Sequence, residues 1–435
     1  MMSELRTTFI KEAIWHGSPD EAEKLLAAHP ELADSDIHTA AIVGNVQAVR
    51  RFLKEDPENA KLLSEPFGGN ALVYLCMSKY LRLDKKRSDD FMQAATALLD
   101  AGADPDSGFW TTGRCPEFET ALYGAAGVAN HAGLTTLLLE RGADPNDGEA
   151  VYHSPEFYEN DAMKALVETG KVRPENLSLM LIRKHDLHDY EGIKYLLEHG
   201  TDPNYPWNRG WYAIHHALAR SNGPSIIALL LEHGADPSVM NDGLTAIARA
   251  AREGRNDVLE LFQQKGITIN LDGVDRLIAT CAMADTGTVQ SILQQSPSLL
   301  KELLAMGGEL LARFSLSNNK QGVLQLLELG VDVNTPYQSG DDYFGIPRGS
   351  LAIHVAAWLG NPAVVQLLIE RGSHVDLPDK NGQTPLALAI RACVDSYWTY
   401  RRSPDSVKAL LDAGASTKNI PYPTGYAAID ELLRK

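Results

Sequence analysis

Two histidine-bearing segments place reactive residue types at close spacing. His185-Asp186-Leu187-His188-Asp189 sets metal-ligating side chains three apart, a spacing that suits one face of a helix. No third ligand is tied to them, so the expectation is a solvated polar turn and no metal site. His153-Ser154-Pro155-Glu156 joins an imidazole and a carboxylate in a loop, where they could meet other loop residues. Further carboxylates (Asp106, Glu117, Glu119, Asp147, Glu149, Glu156, Asp341 and Asp342) stand among aromatic residues. Two such acids across an aromatic groove could perform glycosidase-type acid–base hydrolysis. The sequence holds no Gly-rich loop ending in Lys-Ser or Lys-Thr, no G-x-S-x-G elbow and no H-E-x-x-H. No catalytic residue and no cofactor are assigned.

The aromatic residues are unevenly spread. Windows 104–119, 146–160, 202–213 and 332–350 hold 62 residues, of which 13 are aromatic, against 7% for the whole chain. Each window is otherwise turn-like. Aromatic side chains are enriched at the centres of binding surfaces. Phe109, Trp110, Tyr152, Tyr205, Trp207, Trp211, Tyr343 and Phe344 are therefore the candidate binding residues. The competing expectation is that long loops need their own apolar anchors.

The elements that must position these loops recur along the chain. A leucine-rich segment ends in Gly, a small residue, then Asp-Pro or Asp-Val. Examples are Leu138-Leu139-Glu140-Arg141-Gly142-Ala143-Asp144-Pro145-Asn146, Leu230-Leu231-Glu232-His233-Gly234-Ala235-Asp236-Pro237 and Leu326-Leu327-Glu328-Leu329-Gly330-Val331-Asp332. Gly102, Gly170, Gly200, Gly266, Gly372 and Gly414 end further copies, and Pro30, Pro57 and Pro297 mark variants without the glycine. Twelve turns result, with a mean spacing of about 35 residues. Before each leucine segment lies a short Ala-rich one, as in Thr120-Ala121-Leu122-Tyr123-Gly124-Ala125-Ala126 and Leu351-Ala352-Ile353-His354-Val355-Ala356-Ala357. Thr384-Pro385 starts one such segment as a cap and a first-turn proline would. Glycine after the leucine segment fits a left-handed C-cap. Each unit reads as helix, turn, helix, turn.

On these motifs the chain resembles the ankyrin repeat family, most closely at Gly382-Gln383-Thr384-Pro385-Leu386-Ala387. The resemblance is strong over 98–146, 196–252 and 324–416. It implies an all-α solenoid of about twelve helix-turn-helix units, in which elongated finger loops and the first helices line a concave binding face. It implies too that His38, His215 and His354, in the histidine slot of the signature, hydrogen-bond to backbone. The expected organisation is one solenoid over 1–435. It divides into degenerate capping repeats (1–60), central repeats with long aromatic fingers (61–266), divergent repeats and a possible hinge (267–322), and C-terminal repeats with a cap (323–435). Two insertions fall between the helices of a unit, at 77–90 and around Tyr397-Trp398-Tyr400, and are expected to be a solvated helix face and local packing.

Composition narrows the partners. With 40 basic and 57 acidic residues the formal charge is −17, which argues against nucleic acid. No apolar run approaches a membrane span, no secretory leader is apparent, and four scattered cysteines suit a reducing cytoplasmic setting. The expected function is non-enzymatic capture of a protein or peptide, neutral or basic, along the concave face. The alternative is a small molecule or carbohydrate in an aromatic, acidic pocket among the fingers, with hydrolysis by the finger acids.

Overall fold

The computed structural model describes residues 2–83, 85–208 and 210–434. Met1 and Lys435, the ends of the expected array, lie outside the described residues. Among the described residues the chain is helical apart from two short two-stranded hairpins and a few isolated bridges. It packs as two compact units, one formed by 1–217 with 232–235 and the other by 218–231 with 236–435.

Helices follow one another in antiparallel pairs, and local chemistry explains why. The first helix of a pair is capped by a side chain just before it. Asn70 accepts from the amide of Val73 (3.0 Å), Thr120 from Tyr123 (2.9 Å), Thr245 from Ala248 (3.1 Å) and Thr384 from Ala387 (3.3 Å). The second helix is capped the same way by Asn45, His131, Asp189, Asp285 or Asn319. It ends at a glycine with positive φ, as at Gly142 (106°), Gly234 (88°) and Gly330 (98°). The Asp-x-Asn that follows at 144–146, 202–204 and 332–334 is a stitch between consecutive repeats. Asp144, Asp202 and Asp332 accept from the amide two residues on, and Asn146, Asn204 and Asn334 donate to Lys171, Gly234 and Gly372 carbonyls in the next turn.

In the first unit the helices Ile37–Ile42, Ala71–Cys76, Ala121–Tyr123, Gly148–His153 and Pro174–Asp186 stack in order, and Val46–Glu55, Ser88–Asp100, Ala132–Glu140 and Asp161–Glu168 form a second layer behind. The first layer is packed closely because its residues are small. A Cβ built on Gly124 would lie 2.8 Å from the carbonyl carbon of Cys76. In the second unit Ala246–Arg252, Gly273–Ala282, Gly307–Leu316, Ala352–Trp358 and Pro385–Val394 play the same part. The regular order loosens in the divergent stretch. Gly307–Leu316 touches Ala246–Arg252, tied by Arg313 to Glu253 at 2.7 Å, and an extra helix, Ser298–Ala305, packs on Gly273–Ala282.

His38 and His354 occupy the histidine slot and are buried. Their Nε2 atoms meet the carbonyls of Leu62 (2.7 Å) and Leu377 (2.8 Å) in the following turn, as the resemblance implied. The insertion after Cys76 forms the short helix Lys79–Leu83 and a turn of 3₁₀ helix at Lys85–Arg87. At the other insertion Trp398 packs edge-on against Trp358 (4.9 Å), while Tyr397 and Tyr400 stand in solvent.

Ala125 and Ala356 are fully buried. Replacing either with leucine forces three extra carbons into a closed contact and should cost about 1–3 kcal/mol in a chemical denaturation series. Wild-type stability would disprove the packing described here.

Candidate functional site

The hairpin Gly108–Trp110 and Phe118–Thr120 is antiparallel, with Phe109 opposite Glu119 and Trp110 opposite Phe118. Opposed residues share a face, and successive residues alternate. One face therefore carries Phe109 and Glu119, the other Trp110 and Phe118. Phe109 is buried, stacked on Phe67 (5.2 Å between centroids) and edge-on to Trp15 (5.5 Å). Trp110 is 63% exposed and leans on Phe118 at 5.1 Å. The first ring anchors the finger, and the second is displayed by it.

The other candidates divide the same way. Tyr152 is exposed on one side, and the Arg183 guanidinium covers its ring at 4.3 Å. Trp207 and Trp211 close their loop by reciprocal backbone hydrogen bonds of 2.8 Å, and both rings remain partly exposed. Trp211 also stands edge-on to His216 at 6.1 Å. Tyr205 is half-buried, and its carbonyl accepts from Ser178 Oγ at 3.3 Å. In the second unit Tyr343 is exposed beneath Arg220 (4.0 Å), whereas Phe344 is buried with Tyr337 and Ile346. Trp358 Nε1 donates to the Phe344 carbonyl at 2.7 Å, so that ring too holds its finger in place.

A line of charged side chains crosses the first helices of the first unit. His153 lies 3.4 Å from Glu149 and 2.8 Å from Glu156. Glu156 pairs with Arg183, Arg183 with Asp186 (3.0 Å), and Asp186 with His216 Nε2 (2.9 Å). Burial pulls the His153 pKa down, but the hydrogen bond and charge of Glu156 outweigh it and the net shift is upward. Glu156 is held below its ordinary range, because His153 and Arg183 together overcome its burial. His185 borders this line, its ring edge-on to that of His216 at 6.4 Å. It is fully buried, pushed down to about 3 chiefly by that burial, and its Nδ1 donates to the Leu181 carbonyl at 2.6 Å. Asp189 caps the helix Tyr190–Glu198. The pentad 185–189 is thus part of the framework.

Glu119 stands apart from this pairing. It is only 3% exposed, and its Oε2 has no hydrogen-bond partner. Burial, then the charges of Glu149 and Glu117, raise its pKa to about 7, with His153 opposing and Asp147 adding. Glu149 and Asp147 are themselves raised, first by burial. Tyr123, on the adjoining helix, meets Trp15 Nε1 at 3.4 Å and the His153 ring at 5.2 Å. Gly127 leaves room for that contact, since a Cβ there would lie 2.7 Å from the Tyr123 ring. Among the described residues no group of three His, Cys, Asp or Glu side chains is placed to hold a metal ion. A cavity of about 540 Å³ lies elsewhere in this unit, lined by Glu23, Asn45, Tyr80, Arg87 and neighbours, with no finger aromatic among them.

Arg183, His216, Tyr123 and Trp15 escaped the sequence reading. A signal was present for three of them. Tyr123, His153 and Arg183 are 30 residues apart, as are Glu156, Asp186 and His216, and also Glu119 and Glu149. That interval is one unit, so each set occupies one position of consecutive first helices or fingers. Trp15 carries no such periodic mark.

A model of ankyrin repeats matches the chain at 179–272 and 310–420. The chain is similar to a putative palmitoyltransferase ZDHHC13 of Danio rerio, 32% identical over 25% of this chain and 19% of that protein. It is similar also to Rabankyrin-5 of Mus musculus and to serine/threonine-protein kinase 12 of Arabidopsis thaliana. Each is 37% identical over 19% of this chain, covering 7% and 16% of those proteins. The chain spans less than a fifth of the length of these curated relatives.

Proposed function

We propose, for a chain that is an ankyrin-repeat protein, that it captures a protein or peptide partner on the first-helix side of its array and the adjoining fingers, without catalysing a reaction. The helix pairs are read as about twelve units of one array, capped over 1–60 and at the C-terminal end. The observation that carries the reading is the display of aromatic rings on braced loops. Trp110 projects from a hairpin whose other face is anchored by Phe109. Trp207 and Trp211 sit on a loop closed by its own backbone bonds. Rings that are already ordered lose little entropy on binding, which is how such residues come to dominate an interface. In the first unit Tyr152 and the half-buried Tyr205 extend this set, with Phe109 beneath; in the second unit Tyr343 is displayed by itself, with Phe344 beneath. No helix of the described residues is long and apolar enough to cross a membrane. The free cysteines Cys76, Cys115, Cys281 and Cys393 support a reducing, cytoplasmic setting. The acidic excess supports a neutral or basic partner.

Replacing Trp110, Trp207 and Trp211 together by alanine should abolish retention of a stoichiometric protein partner from native lysate and leave the melting curve little changed. Full retention by the triple variant, or its unfolding, would overturn the assignment.

A further inference from the structure

We propose that Glu119, with Glu149 and Glu117 at its rim, receives a basic side chain of the bound peptide, a lysine ammonium or an arginine guanidinium. The inference rests on the peptide-binding reading and names the chemistry of one contact within it.

The argument starts from an unmet need. A buried carboxylate normally has hydrogen-bond donors, and one without them is costly to keep ionised. Glu119 is buried to 97% by its 3% exposure, and Oε2 accepts from nothing. Its surroundings do not compensate. The largest charges acting on it are the carboxylates Glu149, Glu117 and Asp147, opposed by the imidazole of His153. His153 already serves Glu149 and Glu156, and Glu156 is shared with Arg183. The carboxylates there outnumber the imidazole, and the most enclosed of them lacks a donor.

The walls also suit a basic side chain. Glu119 shares its hairpin face with Phe109, which packs on Trp15, and Trp15 meets Tyr123. The rim is open, for Glu117 is exposed and Glu149 and Tyr152 are partly so. Lysine and arginine pair a long apolar stem with a charged head, and aromatic surfaces accommodate both parts. A bare divalent ion fits less well, since no three ligating side chains among the described residues converge on one point. The arriving N–H groups supply the missing donors, and the proton that Glu119 holds near neutrality leaves to solvent, so that charge balances. Glu117, Glu149, Asp147, His153 and Tyr123 are titratable groups that face or border the site, and behind them His16, its ring 4.3 Å from that of Trp15, interacts with His153 and Lys79.

The test selects binders to the full chain from a library of peptides of about twelve residues, acetylated and amidated at their ends so that no terminal charge competes. The best peptide is then remade with norleucine for each lysine and citrulline for each arginine. One such change should weaken binding to the wild-type chain about tenfold or more, and to Glu119→Gln by less than about twofold. Wild-type affinity should fall about tenfold per pH unit below 7, and that of Glu119→Gln should stay flat. A melting curve confirms that the variant is folded; if it is not, Glu149→Gln on the partly exposed rim should reduce the same coupling. Selected peptides without a basic residue, or equal losses in wild type and variant, would overturn this inference while the peptide-binding reading stands. Failure to select any peptide, with the triple tryptophan variant behaving as wild type, would overturn both.

Discussion

Replacing Lys184 with methionine should destabilise the protein by about 3–5 kcal/mol, more than removal of any surface charge. Lys184 is fully buried on the helix Pro174–Asp186. Its Nζ donates to Asp189 Oδ2 at 2.8 Å and to the Phe157 carbonyl. Asp189 also accepts from the Gly192 amide (3.0 Å) and from Asn160 Nδ2 (2.9 Å), so one carboxylate joins a turn, a cap and the neighbouring unit. Methionine preserves the stem and removes the charge, leaving Asp189 ionised in a dry place. Burial alone would raise the Asp189 pKa, but the Lys184 hydrogen bond, then the amide and Asn160, bring it below its ordinary value. A lowered carboxylate adds stability above its unfolded pKa, which is lost as pH falls through the folded one. In Lys184→Met, where Asp189 has lost the lysine that lowers it, that acid-side loss should shrink or reverse, so that variant and wild type converge as pH falls. Adding Asp189→Asn should restore part of the stability. Urea titrations measure both effects, and a loss below about 1 kcal/mol would show that the pair is not what holds this turn.

Glutamine at position 119 should act in the opposite sense. The Glu119 pKa rises from 4.5 to about 7, with burial as the largest cause. The folded chain therefore holds a proton that the unfolded chain releases above pH 4.5, so stability falls as pH rises toward and through 7. A shift of that size corresponds to about 3 kcal/mol, fully felt above neutrality. Glu119→Gln keeps the shape and removes the charge. It should match the wild type near pH 4 and exceed it by about 3 kcal/mol near pH 8. Denaturation curves that keep a constant separation between those limits would show that Glu119 is solvated after all. Together with the binding test, the outcome separates a carboxylate retained for a ligand from one retained for folding.

Much of the framework was legible because it is local. A threonine or asparagine before an Ala-rich run, and a glycine after a leucine run, act within one turn of backbone, so Thr120, Thr384, Gly142 and Gly330 could be read directly. The site was legible only in part. Trp110 and Phe109 are adjacent and chemically alike, yet one is displayed and the other buried. What separates them is Phe67 and Trp15, roughly 40 and 95 residues away, which cover one face of the strand. Phe344 is likewise claimed by Trp358 and Trp398, each on a later element.

The sequence by itself determined the repeating helix pair, its caps, the turns that stitch units together and the aromatic richness of the fingers, because each depends on residues close along the chain. The tertiary structure alone decided which aromatics are displayed, that Glu119 is enclosed without a donor, and that His153, Arg183, Asp186 and His216 form one line. The reason lies in the stacking. Over 119–216 the repeats bring positions 30 residues apart face to face, so charges that are strangers in sequence become neighbours across helices. Burial and pairing then follow from what the next unit places opposite, which no single repeat records.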